Sequence, residues 1–424
     1  MPHVLEVFLG DRVVGTITNL TSDHNAFTFD SEYFDDPDRP TLSLAFYDAD
    51  RALSTPTRTP QVRLLPFFAN LLPEGHLRQY LANRAHVNPL RDFPLLWLLG
   101  EDLPGAVVVR HREGPNALPK EAERVVSKAI EDEPTILKFS LAGVQLKFSA
   151  IKEAGGGLTI PVHGQNGDWI LKMPSALYAN VPENEFAMMT FARAVDIEVP
   201  AIALVESASV RNMPPEVHSD LGRALSVKRF DRDGGRRIHI EDFNQIYNQY
   251  PDDKYKNVSY GNMLGAIWRT MGEEQTREFV RRLVFNVGIG NADMHLKNWS
   301  VIYPDGKTPR LAPAYDYVST VAYIDDDTLA LTIAGTRQWR DISYEHLERF
   351  ARKSGVPRGV VLESAREMVT RMRDVWPILE RDLDLHARAI ARINAQLDSV
   401  PIFGGQAIFA STTLQASEAH EEIR

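Results

Sequence analysis

The chain has 424 residues, 44% hydrophobic and 25% charged, enough for two or three units that each build a core. Its 57 acidic and 47 basic residues give a net charge of −10, which argues against a whole surface built to neutralise nucleic-acid phosphates but leaves room for a local basic face or DNA contact through a partner. Cysteine is absent, which excludes disulfides, thiolate metal sites and cysteine nucleophiles and makes a reducing, cytoplasmic compartment the expectation. No stretch approaches the roughly 18 consecutive apolar residues of a membrane span, and Met1-Pro2-His3-Val4-Leu5-Glu6 lacks the basic-then-apolar pattern of a secretory leader.

In chain order, residues 4–8 and 12–17 read as two strands around a Gly10-Asp11 turn. Residues 66–99 carry apolar side chains at helical spacing, interrupted by Pro73, Pro89 and Pro94. The charged stretch 110–133, with Gly114, Pro115 and Pro119, reads as a linker or surface loop. Between 138 and 230, short strands surround one helix. The turn Gln165-Asn166-Gly167 leads into the strand Trp169-Ile170-Leu171-Lys172, and Pro182-Glu183-Asn184-Glu185 opens a helix to about residue 195 with acidic residues in its first turn. From 238 to 397 helices dominate, and the last 25 or so residues, after Pro401, lack strong periodicity and are expected to be poorly ordered.

The densest polar constellation follows a helix. Residues 279, 280, 283, 284 and 287 form its apolar face, Gly288 and Gly290 end it, and Asn291-Ala292-Asp293-Met294-His295-Leu296-Lys297-Asn298 forms the loop beyond. A strand at 299–303, a turn at 304–309 and a returning strand at 310–314 follow. If that hairpin is symmetric about Lys307, Asn298 faces Asp316, and a slip of one or two residues would still leave the two side chains at the same open end. An Asn and an Asp at one hairpin end supply hard oxygen ligands for a magnesium ion that bridges nucleotide phosphates, and Asp293 supplies the carboxylate that orients or deprotonates an attacking hydroxyl. Taken alone, a D-x-x-x-x-N spacing arises often by chance and Asp-rich loops cap helices; the hairpin-linked second Asp is what favours chemistry. His295 reads as a structural or nucleotide-proximal group rather than a base.

Two weaker features stand upstream. Ser140-Leu141-Ala142-Gly143-Val144-Gln145-Leu146-Lys147 is a small-residue loop whose N–H groups can face phosphate oxygens, although by itself an ordinary β-turn explains it better. Lys172 on its apolar strand is either a solvated edge lysine or a phosphate-binding lysine, with Glu185 as an ion-pair partner. The Gly155-Gly156-Gly157 run reads as a hairpin tip with no ligand.

In this order the pieces resemble the HipA family of bacterial toxin kinases. Ser140 to Lys147 is similar to the family's phosphate loop, Trp169 to Pro174 to its lysine strand, and Asn184-Glu185-Phe186 to its helix start. Ser226-Val227-Lys228-Arg229-Phe230-Asp231-Arg232 resembles the hinge strand, and Asn291 to Asn298 with Ala314-Tyr315-Asp316-Tyr317 resembles the catalytic loop and metal aspartate. The resemblance covers nearly the whole chain. It implies an α+β, two-lobed protein-kinase-like fold with an N-terminal β-rich and helical subdomain at 1–110, an N-lobe-like part at 135–235, a mostly helical C-lobe-like part at 236–400 and a tail at 401–424.

It also implies a serine/threonine protein kinase using ATP and Mg2+, with Asp293 as general base and Asn298 and Asp316 as metal ligands. The nucleotide would be held by Ala142, Gly143, Val144, Gln145, Leu146, Lys147, Lys172, Lys228, Arg229, Phe230, His295, Leu296, Lys297, Asn298, Tyr315 and Asp316, with adenine met by the hinge backbone. Ser140 matches the serine on which family members autophosphorylate. The implied partners are a HipB-like helix-turn-helix antitoxin, operator DNA reached mainly through that antitoxin, and a translation component as substrate, typically an aminoacyl-tRNA synthetase; no membrane is implied. Val144 and Leu146 are bulkier than the family's usual loop residues, and Lys228 stands where an acidic residue is usual, which bears on hinge side-chain contacts. Two other classes fit the D-x-x-x-x-N loop or the partner set: a small-molecule phosphotransferase of the antibiotic- or choline-kinase kind, and a non-catalytic co-repressor subunit.

Overall fold

A computed structural model describes residues 3–404 except 49, 112–146, 153–157, 160–166, 176, 214–221 and 326. Most of the expected linker, the loop residues Ser140 and Ala142 to Leu146, the glycine run at 155–157 and nearly all of the tail therefore lie outside the described residues. The chain divides into two compact units.

The first unit comprises Met1–Ala179, Ile202–Lys254 and Ser300–Ala312. It opens with an antiparallel sheet of order β3-β2-β1-β4, where β1 is His3–Leu9, β2 Arg12–Asn19, β3 Asn25–Phe29 and β4 Val107–His111. The Gly10-Asp11 hairpin forms as expected, with Leu9 opposite Arg12 and Gly10 at φ +62°, a left-handed value that glycine adopts without steric cost. Strand alternation turns Leu5, Val7 and Leu9 into a core shared with Phe27, Phe46 and Phe68. The 66–99 stretch resolves into helices Pro66–Ala69, Gly75–Arg84 and Asp92–Leu99. Pro73 and Pro89 fall in the breaks. Pro94 interrupts nothing: it is the third residue of its helix, where the N–H has no intrahelical acceptor to lose.

A second antiparallel sheet has the order β6-β5-β7-β9-β8, with β5 at Lys147–Lys152, β6 at Leu158–Thr159, β7 at Trp169–Lys172, β8 at Ile202–Glu206 and β9 at Arg223–Lys228. The strand β7 is the expected Trp-Ile-Leu-Lys strand; its central place buries Trp169 and Leu171 with Ala150, Leu158 and Ala224. The short pair β10 (Arg232–Asp233) and β11 (Arg236–Arg237) turns at Gly234-Gly235, and β12 (His239–Asp242), β13 (Ser300–Tyr303) and β14 (Arg310–Leu311) form a third sheet.

Two buried carboxylates bind distant segments of this unit together. Asp231 accepts from Gly105 N at 2.8 Å and from the guanidinium groups of Arg229 and Arg232, each at 2.8 Å. Burial by itself would raise the Asp231 carboxyl, but the Arg229 hydrogen bond and the charges of Arg229 and Arg232 hold it below the usual carboxylate range. Glu241, 1% exposed, accepts from Ser43 Oγ at 2.5 Å, Tyr303 OH at 2.5 Å and Leu44 N at 3.0 Å. Desolvation outweighs those donors and pushes its carboxyl up from 4.5 to about 7.

A measurable pH dependence follows. Because the folded state keeps the Glu241 proton that the unfolded chain loses above about pH 4.5, stability falls as pH rises towards 7. The unfolding free energy of the wild type minus that of Glu241→Gln should decline by about 3 kcal/mol across this window in denaturant titrations. A difference that stays flat with pH would show that Glu241 is not buried as described.

The second unit comprises Asn180–Ala201, Tyr255–Trp299 and Pro313–Arg424. Its helices are Val181–Ala194, Tyr260–Gly288, Tyr344–Ser354, Arg358–Leu379 and Ala387–Ser399. Ser259 and Asn262 cap the longest of these reciprocally, and Gly272, at φ +81°, kinks it. Phe285 and Trp376 pack on Phe191 with ring centroids 5.0 and 4.9 Å away. Gly288 permits close approach: a Cβ there would stand 2.5 Å from Met372 Cε and 2.7 Å from Phe403.

Candidate active site

The loop after the Tyr260–Gly288 helix is held from below by buried amides. Asn291 Nδ2 donates to Asn286 Oδ1 at 2.8 Å, and Asn291 Oδ1 accepts from Asp293 N at 3.1 Å. Gly290 sits at φ +64°, and a Cβ there would strike Val321 at 2.5 Å, so the turn requires glycine. Met294 and Leu296 anchor the loop in the core, while Tyr260 OH donates to Met294 O at 2.8 Å. The backbone is thus clamped, yet the Asp293 side chain is 56% exposed.

Asn298 folds back onto the same loop. Its Nδ2 donates to Asp293 O at 2.8 Å, which spends the amide nitrogen and leaves Oδ1, an oxygen of the kind Mg2+ takes. It is buried. The hairpin register differs from the expectation. Val301 pairs with Leu311 and Ile302 with Arg310, so the hairpin is centred on Gly306 rather than Lys307. The cause is the turn: Asp305 Oδ1 accepts from Lys307 N at 2.9 Å and Thr308 N at 2.7 Å, and Gly306 takes φ +78°. Asn298 and Asp316 are therefore not ladder partners. The two segments meet instead through Tyr315, whose hydroxyl donates to Lys297 O at 2.8 Å and so joins the residues just before Asn298 and Asp316.

Asp316 has φ +56°, a left-handed conformation rare outside glycine and most tolerated by Asp and Asn. Anchors on its far side hold it there. Tyr317 is fully buried and stacks on Phe285 at 5.4 Å, and Ser319 N donates to Asn184 Oδ1 at 2.9 Å while Asn184 Nδ2 donates to Ser319 O at 3.1 Å. Thr320 closes the circuit: its Oγ1 accepts from Ala292 N at 2.9 Å and lies 2.6 Å from Asp327 Oδ2. The helix start at Asn184, noted in sequence without a role, thus braces the segment that carries Asp316.

Of the other expected site residues in this unit, His295 is buried with Nε2 4.0 Å from Asp293 Oδ1, Leu296 is a core side chain, and Lys297 is half-buried. Sequence reasoning missed Tyr255, whose hydroxyl donates to Asp293 Oδ1; no local signal marks a residue 38 positions upstream. In the first unit, Lys172 is 4% exposed and lies across the ladder from Lys147, and Lys228 is exposed at the end of β9. Phe230 is half-buried. Arg229 gives its N–H to Asp168 O at 2.8 Å and its guanidinium to Asp231, so both already serve the fold. Among the described residues, no group of three His, Cys, Asp or Glu is arranged to hold a metal; the expected ligand pair mixes an amide with a carboxylate.

Residues 5–110 match the HipA N-terminal domain and residues 139–376 the HipA-like C-terminal domain. The chain belongs to the HipA-like family. Y4dM of Sinorhizobium fredii, named as a candidate kinase, is 47% identical over 407 residues, covering 94% of this chain and 98% of that protein. The serine/threonine-protein kinase toxin HipA of Shewanella oneidensis is 26% identical over 410 residues, covering 87% of each. A chain from the Shewanella oneidensis MR-1 complex of HipA, HipB and operator DNA superposes with a TM-score of 0.69 at 22% identity, over 92% of this chain and 94% of that one. The expected α+β, kinase-like fold is thus the fold of this HipA-like chain. No helix among its described residues is long and apolar enough to cross a membrane.

Proposed function

We propose that this HipA-like chain is an ATP- and Mg2+-dependent serine/threonine protein kinase, the toxin of a toxin–antitoxin pair. The carrying observation is the arrangement on the 291–298 loop: an exposed Asp293 carboxylate on a clamped backbone, with Asn298 locked to its carbonyl and the segment that precedes Asp316 tied to Lys297 through Tyr315. In this reading Asp293 orients the acceptor hydroxyl and takes its proton as the hydroxyl oxygen attacks the γ-phosphorus and ADP leaves. Asn298 Oδ1 and the Asp316 carboxylate would hold Mg2+, which when bound offsets charge on the phosphates. Lys172 is the phosphate contact, and Ser140 the site of autophosphorylation, whose added charge would repel ATP.

The partner reading is a HipB-like antitoxin, supported by the fold shared with the Shewanella complex. DNA contact would run mainly through that antitoxin, in keeping with a net charge of −10. The substrate reading is a translation component, an aminoacyl-tRNA synthetase, met in the cytoplasm; family resemblance supports it.

Purified chain incubated with γ-labelled ATP, Mg2+ and a cell lysate should place label on protein bands, and EDTA should reduce that label to background. Label confined to small molecules would assign a small-molecule phosphotransferase instead, and no label in either fraction would leave a non-catalytic co-repressor.

A further inference from the structure

Asp293 projects from a rigid backbone, but its carboxylate lies more than half exposed, where an aspartate ordinarily rotates freely. Here one of its two oxygens is held. Tyr255 OH donates to Oδ1, and His295 Nε2 stands 4.0 Å from that same oxygen. The Tyr255 ring meets the His295 ring edge-on, centroids 4.9 Å apart at 82°. The Tyr255 backbone is itself tethered, because Arg337 Nη2 donates to Tyr255 O at 2.9 Å. Oδ2, by contrast, accepts no hydrogen bond from any described residue. The carboxylate thus has one oxygen fixed by the protein and a second that no described residue holds, on a side chain 56% exposed.

We propose that Tyr255 is a positioning residue for phosphoryl transfer: its hydroxyl fixes Oδ1 of Asp293 so that Oδ2 faces the acceptor hydroxyl. The proposal rests on reading Asp293 as the base. The phenol undergoes no chemistry itself. It supplies a donor of set direction from a side chain with two rotatable bonds, braced by the His295 ring and by Arg337, and so limits the rotation that would otherwise carry Oδ2 away from the acceptor. A general base works only within hydrogen-bond reach of its proton, which makes such bracing kinetically visible.

The test is Tyr255→Phe in the full-length chain, which removes the donor and keeps the ring. Initial rates of label transfer from γ-labelled ATP to lysate protein are measured over a range of ATP concentrations, alongside the melting temperature. The rate at saturating ATP should fall about tenfold or more, with KM for ATP and the melting temperature unchanged. A rate within twofold of wild type overturns the proposal. A parallel loss of rate, KM and melting temperature overturns it too, since that marks a purely structural contact. If the wild-type chain transfers no label to protein, the kinase reading fails and this inference falls with it, an outcome distinct from an active Tyr255→Phe variant.

Discussion

Asp293→Gln is expected to lower phosphoryl transfer by about 10²–10⁴-fold, the share a positioned general base contributes, while the chain folds as before. The substitution removes a carboxylate and little else. The bonds that shape the loop use the Asp293 backbone: Asn298 Nδ2 donates to its carbonyl at 2.8 Å, and its N–H donates to Asn291 Oδ1 at 3.1 Å. The side chain is 56% exposed, and the buried His295 stands 4.0 Å from it, beyond hydrogen-bond reach, so stability should change by no more than about 0.5 kcal/mol. Rates of label transfer, nucleotide affinity by calorimetry and thermal melting together decide the matter. Wild-type transfer by the variant would remove Asp293 from the mechanism, and a drop of several degrees in melting temperature would make its role structural.

Asp231→Ala should be the most destabilising single change in the first unit, by about 3–5 kcal/mol in equilibrium urea unfolding. Asp231 is 4% exposed and is the common acceptor for Arg229, Arg232 and Gly105 N. Alanine would leave two buried guanidinium groups sharing Asp102, which lies 3.5 Å from Arg229 and 3.1 Å from Arg232. The cost is that of uncompensated buried charge, so adding Arg229→Met to Asp231→Ala should recover part of it. An exposed pair such as Arg277 with Glu363 should cost under about 1 kcal/mol when broken. A loss below about 1 kcal/mol for Asp231→Ala would mean that the network adds little to stability.

Asp231 also shows where sequence reading stops. Within the motif resembling a hinge strand, Lys228, Arg229 and Phe230 read as nucleotide contacts, yet Arg229 points its guanidinium at Asp231 and Asp102. Asp102 lies 127 positions earlier, and nothing in the local pattern announces it. Elements governed by neighbours were legible: the Gly10-Asp11 hairpin, the Trp169–Lys172 strand, the helix opening at Pro182 and the end of the long helix at Gly288 all follow from alternation, capping or glycine. The 304–309 turn was half legible. Its turn character was plain, but Pro-Asp-Gly-Lys-Thr-Pro fits more than one register, and the Asp305 side chain chose between them by bonding Lys307 N and Thr308 N.

By itself the sequence determined which chemical groups stand close along the chain: an aspartate and an asparagine five residues apart after a buried helix, a second aspartate past a hairpin, and the ordered motifs of a family. Those are properties of spacing and residue type, set within a few turns of backbone. Only the tertiary structure decided that Asn298 spends its nitrogen on the Asp293 carbonyl, that Tyr315 rather than strand pairing ties its segment to Lys297, and that Tyr255 grips one Asp293 carboxylate oxygen. Each of these is a hydrogen bond whose partner is selected by how the loop and its flanking segments pack, and directional bonds of this kind form only once packing has put donor and acceptor within about 3 Å of each other.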